Sequence, residues 1–318
     1  MTNDRPKPGY EQTEIGVIPE DWNASKIRDT APLQRGFDLP TSQLKKGDYP
    51  VVYSNGIMNR HADFMVAAPG VVTGRSGTIG NVHYISENYW THNTALWVTD
   101  FKDNDPKYIY YLYKAINLER FGTGSGVPTL NRNDVHDLVV ALPPLLEQRS
   151  VSQALSDVDA LIAGLDKAIG KKRAIKTATM QQLLTGKKRL LGFGEGKGDR
   201  QTEIGVIPED WRVTQLKELI DQNRKITYGI VVPGSNISNG IPMIRAQDYS
   251  RGWVDINELY RVATEIDNAY KRSKVIAGDI LLTIVGSVGN LAKVPFIFSG
   301  SNLTQQTARL AFNIGLTH

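Results

Sequence analysis

An eleven-residue stretch, QTEIGVIPEDW, occurs twice in this chain, at residues 12–22 and again at residues 201–211. Eleven identical residues of ordinary composition do not recur by chance, so the chain contains an internal duplication. The spacing between the two copies is far longer than the ~20–50 residues of solenoid or propeller repeats. Each copy is therefore predicted to open a domain with its own hydrophobic core, and two homologous domains are expected.

The first copy combines strand signals with a helix signal. Short runs rich in β-branched and aromatic residues, bounded by Gly, Asn, Pro or Asp, predict strands at residues 49–53, 70–73 and 95–99. Residues 106–116 predict a helix, because they open with a proline, which the first turn of a helix accommodates. We therefore expect residues 1–145 to form a mixed α/β domain, and the fold class of the chain to be α+β.

A long helix is expected after this domain. Apolar residues recur there at alternating intervals of four and three, which keeps them on one face of a helix. This predicted packing stripe consists of Val151, Leu155, Val158, Ile162, Leu165 and Ile169. A continuous helix over residues 147–185 would be about 58 Å long at ~1.5 Å per residue. Since so narrow a stripe needs a second helix to cover it, the segment 146–190 is predicted to be a coiled-coil-like spacer helix, followed by a Gly-rich linker at 191–200.

Positive charge is concentrated in the second half of this predicted helix. Eight Lys and Arg residues and no acidic residue lie between Lys167 and Arg189, although the net charge of the whole chain is only +4. Such a run is either a solvated helix face or a surface that faces phosphates, where each cation releases condensed counterions. The residues considered as phosphate-facing candidates are Lys171, Lys172, Arg173 and Lys176.

The second copy, residues 201–318, repeats more than its opening. GTIGN at residues 77–81 returns as GSVGN at residues 286–290, each time after a β-rich run. No counterpart of residues 103–190 follows in the second copy. The second domain is therefore expected to be truncated, without its closing part and without a second long helix.

Together these motifs resemble the specificity subunit of type I restriction-modification enzymes. The resemblance is carried by the paired TEIGVIPEDW openings, the GTIGN and GSVGN turns, LPPLLEQ at 142–148 and MQQLLTGKKRL at 180–190. It implies two target-recognition domains that each read one half of a split double-stranded DNA sequence, held apart by paired helices. It also implies partner subunits, an adenine methyltransferase and a restriction subunit that is a translocase and nuclease, which would bind S-adenosylmethionine, ATP and Mg²⁺. No cofactor and no catalytic residue are expected in this chain.

The absence of catalytic motifs agrees with a recognition role. Residues 142–145 lack the aromatic flank of an amine-methylation motif, and the glycines at 192–198 lack the Gly-Lys-Ser/Thr ending of a P-loop. The five histidines are scattered, so no metal site is expected. The chain has no cysteine, no secretory signal and no run of ~18 apolar residues that could span a bilayer. A cytoplasmic protein that does not contact membranes is the prediction.

Base-reading residues are expected in loops near the glycine turns. Arginine can bind guanine, and Asn or Gln can bind adenine, through paired hydrogen bonds in the major groove. The candidates are Arg35, Tyr53, Asn55, Arg60, Arg75 and Ser76 in the first domain and Tyr228, Arg245, Gln247, Ser287, Gln305 and Gln306 in the second. The alternative is structural: the glycines serve tight turns, and Asn55-Gly56 forms a hairpin corner. Trp22 and Trp211, which the duplication shares, are expected to pack in the core or against the spacer helix.

Two other classes of function stay open from the sequence. The chain could be a scaffold whose basic helix binds acidic partners, or a silent cassette without activity. DNA binding through phosphates must weaken steeply as salt rises, whereas apolar scaffolding need not. Because the apolar stripe would otherwise be exposed, two copies are expected to pair their spacer helices antiparallel as a homodimer. The alternatives are a monomer whose stripe is covered by methyltransferase subunits, and an inactive fragment.

Overall fold

The chain folds into two compact units, Met1–Thr177 and Ala178–His318, here called the first and second unit. The structure is a computed structural model, and it describes residues 6–124 and 126–313.

The first unit is built around two small sheets. Its strands are β1 (Tyr10–Thr13), β2 (Gly16–Pro19), β3 (Asn23–Lys26), β4 (Leu33–Arg35), β5 (Tyr49–Tyr53), β6 (Gly56–His61), β7 (Gly70–Gly74), β8 (Val82–Ile85), β9 (Trp90–Thr91), β10 (Ala95–Val98), β11 (Gly122–Thr123), β12 (Thr129–Leu130) and β13 (Val139–Leu142). An antiparallel sheet has the order β4-β10-β7-β8, and a second sheet has the order β6-β5-β9 with β5 and β9 parallel. The strands expected at 49–53, 70–73 and 95–99 are confirmed as β5, β7 and β10.

Three shorter pairings complete the strand network of the first unit. The duplicated stretch forms the hairpin β1-β2, β3 pairs antiparallel with β13, and β11 pairs antiparallel with β12. The β3-β13 pair joins the start of the unit to its last strand, so residues far apart in sequence meet there.

Three helices of the first unit cover its sheets: α1 (Ile27–Thr30), α2 (Pro106–Ala115) and α3 (Arg132–His136). The helix expected at 106–116 is confirmed as α2. Asp105 caps it by accepting a hydrogen bond from the backbone N–H of Tyr108 at 2.7 Å. Its apolar face enters the main core with Ile109 and Tyr113, and the Tyr113 hydroxyl donates to the Ala31 carbonyl at 2.6 Å.

The long helix α4 (Leu145–Leu184) follows β13 and has 40 residues, so it is about 60 Å long at ~1.5 Å per residue. The prediction of one continuous helix is confirmed. Val151 packs on the core of the first unit. The other members of the predicted stripe, from Leu155 to Ile169, are between 41% and 55% exposed. Their predicted packing role therefore needs a surface that the isolated chain does not provide among its described residues.

The second unit repeats the topology of the first. Its strands are β14 (Asp199–Thr202), β15 (Gly205–Pro208), β16 (Thr227–Tyr228), β17 (Ile241–Ile244), β18 (Tyr260–Val262), β19 (Ile280–Thr283), β20 (Leu291–Lys293), β21 (Asn302–Leu303) and β22 (Thr307–Leu310), and its helices are α5 (Leu216–Leu219) and α6 (Thr264–Ala269). The order β16-β22-β19-β20 matches β4-β10-β7-β8. The order β18-β17-β21 matches β6-β5-β9, again with one parallel pair. The predicted duplication is thus confirmed at the level of the fold.

The second unit departs from the first near its opening. Within residues 178–313, no strand follows the hairpin β14-β15 before α5, where the first unit has β3. Counterparts of α2 and of β11 to β13 do not occur in this part of the chain. The predicted truncation of the second domain stays a prediction.

Candidate nucleic-acid interface

The glycine turn of the first unit is fixed against the segment that leads into β10. The backbone N–H groups of Arg75 and Ser76 both donate to the Thr94 carbonyl, at 2.8 and 3.1 Å. At Gly74, a Cβ atom would lie 1.7 Å from the Thr78 carbonyl oxygen, so only glycine fits. The turn therefore presents the Arg75 side chain from a rigid backbone.

The hairpin between β5 and β6 lies beside the same segment. The Ser54 N–H donates to the Thr94 hydroxyl at 3.4 Å, and the Tyr53 ring packs on the His92 ring with centroids 4.3 Å apart. Burial holds the pKa of His92 below its usual value, so this ring is neutral at neutral pH. Asn55 is exposed at the hairpin corner. The fold thus joins the loops of Tyr53, Asn55, Arg75 and Ser76, four of the candidates.

Arg35 and Arg75 line one pocket of about 590 Å³, together with Arg132. Arg35 forms an ion pair with Asp38 at 2.7 Å. Hydrogen bonds from Asn93 and then from Arg35 hold the pKa of Asp38 below its usual value. Within residues 6–124 and 126–313, neither Arg75 nor Arg132 has a carboxylate within 4.0 Å. Arg75 Nη1 donates to the Asn93 carbonyl at 3.4 Å, so the pocket keeps two guanidinium groups that have no carboxylate partner and have donors left for an acceptor.

Sequence reasoning missed Arg132. This residue opens α3, and Asn131 caps the helix by accepting from the Asn133 N–H at 3.1 Å. The N-cap signature of Asn131 predicts a helix start, but nothing local links it to Arg75. The two meet because the Leu130 N–H donates to the Arg75 carbonyl at 2.7 Å.

Arg60 lies outside this cluster. It is on β6, where its guanidinium pairs with Glu87 at 3.0 Å and also donates to the Asp48 carbonyl. The hydrogen bond that Arg60 donates to the Glu87 carboxylate raises the pKa of Arg60. Its donors are already engaged, so its assignment as a base reader has no support from the geometry and stays a prediction.

In the second unit, the glycine turn follows the matching strand β19 and is held by the same type of backbone hydrogen bond, but its side chains differ from those of the first unit. The Ile284 N–H donates to the Gln306 carbonyl at 2.8 Å, as Arg75 does to Thr94 in the first unit. Gly286 and Gly289 both adopt positive φ, which favours glycine, and Ser287 between them is exposed. Gln305 and Gln306 are exposed beside this turn. Three of the candidates in the second unit are therefore brought together.

The remaining candidates of the second unit, which are Arg245, Gln247 and Tyr228, form no hydrogen bond with the glycine turn in the described residues. Arg245 closes on Asp248, with Nη2 2.9 Å from Oδ1 and its backbone N–H 2.8 Å from Oδ2, and Asp248 is buried. This arrangement gives Arg245 a structural role. Gln247 is exposed in the next turn, and Tyr228 is exposed on the edge strand β16.

The basic residues of the spacer helix are exposed along α4. Lys172, Arg173 and Lys176 border a shallow apolar groove that includes Leu165 and Ile169. No carboxylate of the described chain lies within 4.0 Å of these cations or of Lys171. Lys172, Arg173 and Lys176 therefore lie on the same side of the helix as Leu165 and Ile169.

The duplicated tryptophans contact the two ends of the spacer helix. In the first unit, Trp22 donates from Nε1 to Glu147 at 3.1 Å. In the second unit, Trp211 lines a pocket with Leu183 and packs under the Arg189 guanidinium, 5.6 Å from the ring centroid. Arg189 is held in turn by Asp210 at 2.8 Å. These contacts support the predicted spacer-docking role.

No group of three or more His, Cys, Asp or Glu side chains that could hold a metal ion occurs in the described residues. Within the same part of the chain, none of the helices combines the length and the apolar character needed to cross a bilayer. Two histidines have evident structural roles, because His136 accepts from the Leu33 N–H at 2.9 Å and His61 accepts from the Lys45 N–H at 3.0 Å.

Comparison with known proteins gives a consistent result. Residues 19–172 match the family of the type I restriction modification DNA specificity domain. The chain is 27% identical over 300 residues to the type I restriction enzyme EcoBI specificity subunit of Escherichia coli, covering 87% of this chain and 63% of that protein. It is 28% identical over 314 residues to the type I restriction enzyme MjaVIII specificity subunit of Methanocaldococcus jannaschii, covering 93% of this chain and 72% of that one.

A solved structure supports the same fold. The type I restriction-modification S subunit from M. genitalium superposes with a TM-score of 0.53 at 16% identity, over 93% of this chain and 74% of that chain. At this identity the similarity concerns the fold alone. The chain thus spans between 63% and 74% of the length of these relatives.

Proposed function

We propose that this chain, whose residues 19–172 match the type I restriction modification DNA specificity domain, is a sequence-reading subunit for double-stranded DNA. One observation carries the proposal. Arg35, Arg75 and Arg132 come from three distant segments and line one pocket, and Arg75 and Arg132 have no carboxylate partner among the described residues. Guanidinium groups presented from a rigid turn fit the paired acceptors of guanine and the oxygens of phosphate.

The target is proposed to be bipartite. The two units share one strand order, but the frame that carries Arg75 and Thr94 in the first carries Ile284 and Gln306 in the second. A shared scaffold with different side chains at matching positions suits two readers of different sequences. Each reader would contact a short block of base pairs, with phosphate contacts fixing its register.

The spacer helix is proposed to set the distance between the two blocks. The 40-residue helix, about 60 Å long, exceeds the 34–36 Å of one DNA turn. Its basic residues, Lys171, Lys172, Arg173 and Lys176, are proposed to face phosphates or an acidic partner.

The chain is proposed to act with other subunits and to contribute no catalytic group. These are a methyltransferase that modifies adenine and a restriction subunit that translocates DNA, and they would carry S-adenosylmethionine, ATP and Mg²⁺. An exposed apolar stripe on α4 supports a protein partner there, since apolar area of this extent is seldom left in water.

For that stripe we further propose a second copy of the chain, with the two α4 helices antiparallel. The narrow heptad-like spacing from Leu155 to Ile169 is suited to a helix of the same kind. Light scattering of the chain alone and with the methyltransferase would give two copies per assembly. One copy in both samples would refute the homodimer and leave the stripe to the methyltransferase.

The reading function is tested by Arg75→Ala in the assembled methyltransferase complex. If Arg75 binds a guanine, the change should weaken binding by about 1–3 kcal/mol and relax the preference at one base-pair position. Arg28→Ala is the matched control, because Arg28 is an exposed arginine of the same unit that pairs with Asp137 and lies outside the pocket, and it should bind DNA as the wild type does. An equal loss on all sequences would reassign Arg75 to phosphate, and no loss at all would remove this pocket from the interface.

The competing functions have different signatures. Sequencing genomic DNA for modified adenines, with and without the gene, should show one interrupted motif that depends on it. A scaffold or a silent cassette would change no motif. A scaffold would in addition bind its partners without the steep salt dependence of phosphate contacts.

A further inference from the structure

The second unit contains a strongly basic pocket next to its edge strand β16. The pocket has a volume of about 710 Å³, and its lining contains no Asp or Glu. Six cationic side chains line it: Arg224, Lys225, Lys271, Arg272, Lys274 and Arg309. They come from the loop before β16, from the segment after α6 and from β22, so the cluster exists only in the folded unit.

Arg309 forms the floor of this pocket and joins its walls. It is only 4% exposed. Its Nη1 donates to the carbonyls of Arg272 and Lys274, both at 2.7 Å, and its Nη2 donates to the carbonyl of Lys225 at 3.1 Å. Its Nε is buried and has no hydrogen-bond partner in the described structure. A buried cation with a free donor is the kind of group that an anion satisfies.

Carboxylates neutralise only part of this charge. Arg224 pairs with the buried Asp279 at 2.5 Å, and Lys274 pairs with Asp267 at 2.8 Å. For Lys225, Lys271, Arg272 and Arg309, no carboxylate in residues 6–124 and 126–313 lies within 4.0 Å.

Burial, and next the charge of Arg224, lower the pKa of Arg309, while Asp279 and Asp221 act in the opposite direction. The folded unit thus holds an excess of positive charge that costs desolvation energy and that a bound anion would offset.

The first unit has different side chains and a shorter loop at the positions that correspond to this pocket. In the matching sheets, Arg309 of β22 pairs with Thr227 and Leu281, where Trp97 of β10 pairs with Gln34 and Val72. The loop that supplies Arg224 and Lys225 spans residues 220–226, whereas residues 31–32 join the corresponding elements α1 and β4. The buried Arg309 and the loop of Arg224 and Lys225 are therefore features of the second unit that the shared strand order does not require.

We propose that this pocket binds a phosphate group of the DNA backbone beside the second half of the target. This inference depends on the DNA-reading function proposed above and adds to it a phosphate-binding site in the second unit. Lysine and arginine side chains with a buried guanidinium at the base match the charge and the acceptor geometry of a phosphodiester. The volume admits a backbone segment, and Tyr228 lies at its edge.

The test is Lys271→Ala together with Arg272→Ala in the full chain assembled with its methyltransferase. Both side chains are exposed, and the backbone carbonyls that hold Arg309 remain. Lys217→Ala with Lys293→Ala is the matched control, because it removes two exposed lysines of the same unit that are not in the pocket. The readout is the slope of log affinity against log salt, measured on target and non-target duplexes.

The slope of log affinity against log salt is negative. The pocket variant should make it less steep by about one unit for the lost phosphate contact, to the same extent on both duplexes. The control should keep the wild-type slope. An unchanged slope in the pocket variant, with a wild-type complex that binds DNA, overturns the phosphate site and leaves the reading function intact. A loss confined to the target duplex would overturn it as well, since phosphate contacts carry no sequence information.

Inorganic phosphate separates a backbone site from a free-anion site. A backbone site requires the slope to change, whether or not phosphate raises the melting temperature of the wild-type chain. Phosphate could instead raise the melting temperature of the wild-type chain but not of the pocket variant, while the salt slope of DNA binding is the same in both. That result would assign the pocket to a free anion and overturn the proposal. A wild-type complex that binds no duplex would refute the reading function itself, and the DNA source of the phosphate with it.

Discussion

Gln148 links the start of the spacer helix to the first unit, and replacing it should uncouple the two. The side chain is 3% exposed. It accepts from the Asp105 N–H at 3.0 Å and donates to the Asn104 side chain at 2.7 Å and to the Pro143 carbonyl at 2.9 Å. Gln148→Leu keeps the approximate volume and removes all three hydrogen bonds.

The cost follows from the groups that lose their partner. A buried donor or acceptor left unsatisfied costs about 1–3 kcal/mol, and the apolar leucine recovers some of this by burial. For three such groups we expect a net loss of about 3 kcal/mol in the free energy of unfolding of the first unit. The amide protons of Asp105 and of the first turns of α4 should exchange faster by the corresponding factor.

Denaturant unfolding and hydrogen exchange of the full chain would measure this loss. Gln153→Leu is the matched control, because Gln153 is exposed on the same helix and donates only to Asp157 at 2.7 Å. The control should stay within about 0.5 kcal/mol of the wild type. A Gln148→Leu protein as stable as the control would refute the argument that this side chain anchors the helix.

Two further perturbations address the reading site and its pH dependence. Gly74→Ala should displace the turn that carries Arg75, because the new Cβ would lie 1.7 Å from a backbone oxygen, whereas Gly164→Ala on α4 meets nothing within 4 Å. DNA binding should fall only in the first, and equal binding by both would contradict the rigid-turn model. Burial holds the pKa values of His83 and His92 below 6.5, so the unfolded state binds more protons than the folded state once the pH falls below that value. The contribution of these two histidines to the stability of the first unit should therefore be fully present above pH 6.5 and should be lost as the pH falls through their folded-state pKa values. Unfolding curves that show greater stability at pH 5.5 than at pH 7.5 would contradict this prediction.

The local elements follow from the sequence alone. The strands at 49–53 and 70–73 and the helix after Asp105 form close to the predicted bounds, because propensity and capping act between neighbouring residues. The spacer helix is expected at 147–185 and is found as Leu145–Leu184. It could be predicted because apolar residues that recur every three or four positions lie on one face of a helix with 3.6 residues per turn.

The composition of the sites was decided by strand register, which joins residues that the sequence separates widely. Arg75 meets Arg132 through the hydrogen bond from Leu130. Arg60 of β6 meets Glu87, which precedes β9, because β6 and β9 both pair with β5. Arg309 lies at the base of the basic pocket because it occupies the strand position that corresponds to Trp97 in the first unit.

The sequence by itself determined the duplication, the length of the spacer helix and the type of the elements at residues 49–53, 70–73, 95–99 and 106–116, since these depend on neighbours along the chain. Only the tertiary structure decided which guanidinium groups are free and which are paired. The physical reason is that a shift of one residue in strand pairing turns a side chain to the opposite face of the sheet. The partner of a charged group is therefore fixed by the packing of the whole unit and cannot be read from the residues beside it.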